Sequence, residues 1–465
     1  MQSQAGVGRM PWNRIIGGGG LAVAGLLYLT SLTAYLTDLA VHPGALLDWY
    51  DLNVYNDAGL ITRQLPSILY TWQLTQGVKF TYTPFAALVF ALGSLLSWAT
   101  LRWLMTVSSL AAVPVAAWLT LGAMGRRGAA RLAAALAVAA LALWTEPVVK
   151  GLFLGQIEPV LLLLVVWDLT RGDRRAWKGI GVGIAAGIKL VPLLFIPYLL
   201  VAGKTRQALT AAAAFAGTIA VGFAVLPGPS ASYWLTGYFI RPGRTGGVDS
   251  LVNQSLLGAI ARAAGGVPQG QPIWLPVAIA VALAGLAGGA AFARSGRPVH
   301  GWVLVGITSV LVSPISWDHH WVWIVPLLAL LAGLAMEGAG RARAAWVIVL
   351  VATAAVFGAW PWQYSGPLAF VPGRGLLAWA VRPPQIYQVT SLHGWQLLTW
   401  NLFVAAGGAA WLALLAGAWL AWRRRPKAPR PAPAPPPGEV DALLARADAV
   451  LKGDRPAAGP AALRA

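Results

Sequence analysis

Six short stretches of this sequence hold most of the side chains able to do chemistry. In WYDLNVYNDAGL, at 49–60, Asp51 follows a long apolar run with Tyr50 and Tyr55 beside it. A carboxylate at the edge of such a run costs free energy unless it is paired or wet, so it demands a partner or a task. Asp57 reads more simply, as the N-cap of a helix beginning DAGLITRQL. FTYTPFAAL, at 80–88, sets Tyr82 and Thr83 ahead of Pro84, a residue suited to the first position of a helix. GLFLGQIEPVLLLL, at 151–164, holds Gln156 and Glu158; residues two apart on a helix do not share a face, so only Gln156 is expected in a common pocket. Lys189 lies deep inside GIGVGIAAGIKLVPLLFIPYLLVAG, at 179–203, too far from either flank to snorkel. A buried ammonium calls for an anion, and a lipid-linked phosphate or a carboxylate would serve.

Two later stretches complete the set. YFIRPGRTGGVDSLVNQSLLGAI, at 238–260, carries Arg241 and Arg244 around a Gly-rich turn and then the polar Asn253 and Gln254. Two arginines on flexible backbone suit phosphate or sugar recognition. SPISWDHHWVW, at 313–323, packs Trp317, Asp318, His319 and His320 between two apolar runs. Neighbouring histidines on a helix diverge by about 100°, and neither an HExxH pattern nor a cysteine supports them, so hydrogen bonding to a sugar or phosphate fits better than a metal.

The elements that position these groups follow from composition. Of 465 residues, 58% are hydrophobic and 11% charged, and the mean hydropathy of +0.66 lies far outside the soluble globular range. The fold class expected is an all-α polytopic membrane protein. Many of the 24 tryptophans, among them Trp98, Trp144, Trp274, Trp395 and Trp422, mark the ends of apolar runs, where their amphipathic rings suit a membrane interface. The absence of cysteine excludes disulfides, thiolate metal sites and cysteine nucleophiles. The first apolar run, from Ile15 to about Leu36, is too long for a signal peptide core and reads as a retained anchor.

The net charge of +19 does not indicate nucleic acid, because most Lys and Arg fall in short clusters beside apolar runs: Arg9/Arg14, Arg126/Arg127/Arg131, Arg171 to Lys178, Lys204/Arg206, Arg294/Arg297, Arg341/Arg343 and Arg423 to Arg430. Clusters of this kind stay in the cytoplasm. Keeping all of them inside requires about ten full spans: 15–36, 103–123, 132–146, 154–170, 207–226, 274–293, 299–313, 321–336, 344–360 and 396–422. Two runs do not fit as spans. Residues 84–97 make a helix of only about 21 Å at ~1.5 Å per residue, short of a hydrocarbon core of about 30 Å. Residues 179–203 are flanked by basic clusters on both sides and broken at Lys189 to Pro192, so they are expected to enter and return as two half-helices. Segments 38–83, 227–272, 314–320 and 361–395 then lie outside, and they or their borders hold Asp38, Asp48, Asp51, Asp57, Glu146, Asp249 and Asp318. The domains expected are a cytoplasmic N-terminus at 1–14, a membrane catalytic domain at 15–422, and a basic Pro/Ala-rich cytoplasmic tail at 423–465 that cannot bury a core.

Taken in order, DLNVY, YTPFAAL, GQIEPVLLLL, GIAAGIKLVPLLF, NQSL and SPISWDHH resemble the pattern of glycosyltransferase family 87, within the GT-C superfamily, over roughly residues 15–335. The resemblance implies a GT-C type bundle in the bacterial inner membrane, acting on its outer face. It implies polyprenyl-phosphate-mannose as donor, a glycolipid such as a phosphatidylinositol mannoside as acceptor, and no metal or other cofactor. It makes Asp51 the general base of an inverting transfer. Lys189, Arg241, Arg244, His319 and His320 become candidates for the donor phosphate or sugar. Tyr55, Tyr82, Gln156, Asn253, Gln254, Trp317 and Asp318 become candidates for the pocket. Arabinofuranosyl transfer from decaprenyl phosphate is the alternative within the family. A lipid-linked sugar transporter is the alternative outside it, although its polar residues would line a path to both faces. Here they gather on one, Lys189 apart.

Overall fold

The computed structural model describes residues 19–41, 46–241, 246–359, 392 and 394–423, with a few isolated positions in the tail. The chain divides into two units, Met1–Arg423 and Arg424–Ala465, and the first carries everything below. The expected N-terminal segment 1–14, most of the outer segment 361–395, and nearly all of the tail lie outside the described residues.

The first unit is helical: α1 Leu21–Ala40, α2 Tyr50–Gln64, α3 Pro84–Gly93, α4 Trp98–Ala123, α5 Gly128–Ala142, α6 Glu146–Leu154, α7 Glu158–Thr170, α8 Ile180–Ile188, α9 Phe195–Val201, α10 Thr205–Val225, α11 Leu256–Ala264, α12 Val267–Arg294, α13 Pro298–Val312, α14 Ile324–Glu337, α15 Gly340–Val356 and α16 Leu402–Arg423. Among the described residues there is no strand, only two isolated bridges. Each of the ten expected spans contains a helix. Five of them, α1, α4, α10, α12 and α16, are long and apolar enough to cross a membrane, and α6 and α7 together make a sixth candidate bent by 119°. This is a membrane protein, and its surface shows why it needs lipid. α15 buries none of its residues, and Ile348, Val351, Leu26, Leu27 and Leu283 are all exposed. The interior is formed by α13 and α14, which are buried over nearly their whole length.

Three local features position the site. The first is the break between α6 and α7. Gly155 ends α6 with φ +69°, a left-handed cap that glycine adopts without steric cost, and α7 restarts at Glu158 followed by Pro159. The second is α3, ten residues long, opened by Thr83, whose hydroxyl accepts from Ala86 N at 3.0 Å, and by Pro84 at its first position. It is a partial helix, as its length predicts. Asp57, by contrast, does not cap a helix. It lies inside α2, and its carboxylate accepts from the backbone N–H of Thr75 at 3.1 Å, tethering the following loop.

The third feature is a helical hairpin. α8 stops at Lys189, whose backbone is extended, and the chain resumes as a short 3-10 turn over Val191–Leu194 and then α9. Gly179, which caps α8, and Gly183 and Gly187 within it pack in turn against Gln207, Ala211 and Thr218, so α8 runs parallel to α10, which α9 immediately precedes. The two ends of the hairpin meet on one carboxylate: Lys178 Nζ reaches Asp173 Oδ1 at 2.9 Å, and Lys204 pairs with the other oxygen of Asp173. Segment 179–203 therefore goes in and comes back at one end. Thr218 lies thirteen residues along α10 from Thr205, which puts Lys189 about 20 Å from that basic end at ~1.5 Å per residue.

Candidate active site

The tip of this hairpin, the α6–α7 break, the start of α2, and the turn between α13 and α14 converge on a cavity of about 1090 Å³. Its walls include Asp51, Tyr55, Tyr82, Gln156, Lys189, Arg241, Trp317, Asp318, His319 and His320. All were anticipated from sequence. Arg244 lies outside the described residues.

Asp51 sits in the first turn of α2, where an acid is favoured by the unsatisfied backbone N–H groups. The chain reaches it through Trp49, which has φ 58° and is the one non-glycine residue with positive φ among those described. A left-handed tryptophan is strained and persists only where its surroundings fix it. Here its backbone N–H donates to Phe153 O at 2.7 Å, its indole N–H donates to Thr106 Oγ1 at 3.2 Å, and the Arg102 guanidinium lies 4.8 Å from its ring. Gln156 Nε2 donates to Asp51 Oδ2 at 2.5 Å. The Gln156 carbonyl oxygen in turn accepts from Tyr55 at 2.6 Å and Tyr82 at 3.2 Å, and the two phenols are 2.7 Å apart. Burial pushes the Asp51 carboxyl above its ordinary range; a proton on His319, whenever that ring carries one, the hydrogen bond from Gln156, and the ammonium groups of Lys189 and Lys150 pull it back down. A carboxyl in that position is a fit general base.

In the same cavity Lys189 forms an ion pair with Glu158 and lies 3.0 Å from His320 Nε2 and 3.4 Å from the Tyr82 hydroxyl. Glu158 also approaches His320 Nε2 at 3.3 Å. As expected, Gln156 lines the cavity and Glu158 does not; Glu158 is buried behind the wall, where it holds Lys189. The two are not on one helix, so Gln156 turns to Asp51 while Glu158 turns to Lys189. The apparent exception of Lys189 is corrected, since the hairpin delivers it to the same end as the other polar groups. Ligand atoms of Glu158, His319 and His320 lie within 4.8 Å of one another, a spacing that could hold a cation. The Lys189 ammonium already touches two of the three and supplies a positive charge there.

Asn253 and Gln254 depart from their expected place in the cavity wall. Both are fully buried behind it. Asn253 bridges to Trp317, its amide donates to Val248 O at 2.7 Å and Pro314 O at 3.1 Å, and it accepts from Ser316 N at 2.9 Å. Gln254 donates its backbone N–H to Ser316 O at 2.7 Å and its side chain to Trp400 O at 2.8 Å. Arg262, also fully buried, donates to Ser250 O at 2.6 Å and Asn253 O at 3.0 Å. The polar NQS stretch is therefore a brace for the histidine turn. Its amides satisfy a loop's backbone groups, which water cannot reach.

The most consequential group missed is a second lysine. Lys150, in α6, pairs with Asp318 Oδ2 at 3.1 Å and lines the cavity. The signal that singled out Lys189, a lysine inside an apolar run, was also present there, in EPVVKGLFL.

The model of glycosyltransferase family 87 matches residues 80–314. That stretch holds Tyr82, Gln156, Glu158 and Lys189, while Asp51 and the histidine turn flank it. A relative from Mycobacterium tuberculosis, a polyprenol-phosphate-mannose-dependent alpha-(1-2)-phosphatidylinositol pentamannoside mannosyltransferase, is 31% identical over 80% of this chain and 86% of its own. Its namesake from Mycolicibacterium smegmatis is 31% identical over 77% and 87%. A further M. smegmatis relative, named for transfer to phosphatidylinositol mannoside, is 33% identical over 62% of this chain and 69% of its own. No solved structure matches. A model spanning half the sequence and relatives aligned along most of it agree, and the chain is a glycosyltransferase belonging to family 87.

Proposed function

We propose that the protein transfers mannose from polyprenyl-phosphate-mannose to a phosphatidylinositol mannoside, with inversion, at the outer face of the bacterial inner membrane. In this scheme the ten expected helices all cross the bilayer as a GT-C type bundle, and segments 1–14 and 423–465 stay in the cytoplasm outside the chemistry. The relatives' names support the donor and the acceptor. The observation that carries the mechanism is that one cavity holds both a carboxylate, Asp51, and an ammonium, Lys189, linked through Gln156 and Tyr82.

An acceptor hydroxyl loses its proton to Asp51 as its oxygen attacks the anomeric carbon, and the bond from that carbon to the phosphate oxygen breaks. The departing lipid phosphate takes the bonding electrons as an anion. It needs no acid, only nearby positive charge, which Lys189 provides, with Arg241 at the rim. Glu158 holds the ammonium when no phosphate is present, so the charge is not left bare in an apolar wall. Apolar side chains of the hairpin tip, Val191 and Leu194 among them, give the prenyl chain a wall to lie against. With the Lys189 ammonium beside the leaving group, the reaction calls for no metal.

The test is transfer by the purified protein from polyprenyl-phosphate-mannose to a mannosylated phosphoinositide. Asp51→Ala should lower the rate by about two to four orders of magnitude, the range for loss of a general base. Retained transfer in that variant rules out the role of Asp51.

A further inference from the structure

Beyond the base and the phosphate cation, we propose that His319 reads one sugar hydroxyl, accepting its hydrogen at Nε2, and that Asp318 and Lys150 are the positioning residues that keep the ring in that form. This rests on the mannosyl transfer described above and adds a specificity determinant to it.

Asp318 is fully buried and is held from two sides. One oxygen faces Lys150 Nζ at 3.1 Å; the other accepts the backbone N–H of His319 at 2.9 Å and lies 3.2 Å from His319 Nδ1. A carboxylate only accepts, so the hydrogen of the neutral ring sits on Nδ1 and the lone pair on Nε2. That Nε2 atom is buried and without a hydrogen-bond partner, on a residue that lines the cavity and is 5% exposed. A buried acceptor left unmatched is costly, and a ligand donor removes the cost.

The surrounding charges favour the neutral ring. Lys150 already balances Asp318, so a second proton on His319 would be excess charge facing Lys189. Burial holds the imidazole below its ordinary basicity, against the upward pull of Asp318 and Asp51. A lone pair repels phosphate oxygens, which are themselves acceptors. The donors that mannosyl phosphate and a mannosylated lipid offer are hydroxyls. The cavity thus divides its work, with phosphate going to Lys189 and a hydroxyl to His319.

The experiment measures kcat/KM for a series of monodeoxy-mannose analogues of donor and acceptor, alongside the full substrates. Turnover of the full substrates by the wild-type protein establishes the parent activity before any ratio is compared. For one position, removal of the hydroxyl should cost the wild type about 10- to 100-fold. In His319→Phe the same analogue should be no worse than the parent sugar. Asp318→Asn and Lys150→Met should narrow the ratio for that same position, and Lys150→Arg should restore it, an outcome that general loosening of the fold does not give. If every single deoxygenation costs the wild type less than about threefold, the proposal falls without recourse to any variant. If His319→Phe leaves the ratios unchanged but weakens binding of polyprenyl phosphate itself, His319 is a phosphate ligand and the proposal is wrong.

Discussion

Replacing Gln156 by leucine removes the side-chain donor held on Asp51 at 2.5 Å, the one among the described residues. Tyr55 and Tyr82 lose an acceptor but keep each other at 2.7 Å, so the aromatic wall stays satisfied. A hydrogen bond to a charged group contributes about 1.5–3 kcal/mol. At ~1.36 kcal/mol per tenfold, its loss should lower kcat by about 10- to 160-fold. Part of that loss should depend on pH. The Asp51 carboxyl is raised by burial and lowered by the Gln156 bond, so removing the bond raises it further. The base works as the carboxylate, and activity is lost as pH falls through its pKa. The acid limb of the profile should therefore move to higher pH in Gln156→Leu. The assay is transfer of labelled mannose into the lipid phase, read as kcat across the pH range for wild type and variant. A deficit that disappears at high pH reports the proton affinity, and one that remains reports lost orientation. A variant within about threefold of wild type at every pH, or an acid limb that moves downward, refutes Gln156 as the support of the base.

Other expectations follow from the same geometry. Lys189→Met should lower kcat/KM for the lipid-phosphate donor by about 10²–10³, the scale for losing a group that stabilises a developing anion; transfer by the wild type should be unchanged when divalent cations are chelated. Asn253→Ala removes three hydrogen bonds from the buried brace and should cost about 2–4 kcal/mol of stability, read as a lower thermal midpoint in detergent together with reduced kcat. Gly183→Ala puts a methyl group against the backbone carbonyl of Ala211 and should destabilise the hairpin by about 1–3 kcal/mol, measured in the same way, with Gly217→Ala as a control that meets nothing nearby.

The membrane class, the partial helix at 84–93 and the broken segment at Lys189 were legible because length, hydropathy and proline placement act locally. Asp51, Tyr82, Gln156 and the histidines stood out for a related reason, since a polar group beside apolar residues needs an explanation. Contacts between distant segments were not legible. Gln156 was rightly preferred over Glu158 for the cavity wall, but the pairing of Glu158 with Lys189 behind that wall was not foreseen, because it joins segments 31 positions apart. Asn253 and Gln254 were placed in the cavity because polar residues at a helix mouth suggest a ligand, yet they serve the backbone of a loop about sixty positions later. Lys150 passed unnoticed because its partner, Asp318, lies 168 positions away in sequence.

The hairpin formed by α8 and α9 works as a ruler. Its two feet rest on the Asp173 carboxylate at the basic end, while its tip presents an ammonium about 20 Å away, at ~1.5 Å per residue of helix. Near the tip, Thr83 hydrogen-bonds the carbonyl of Gly187, and the nine residues of α8 set about 14 Å of that span at ~1.5 Å per residue. One residue added there would turn the tip by about 100° and advance it ~1.5 Å, swinging the ammonium off Glu158. The length of a helix anchored at one end therefore sets where charge appears at the other.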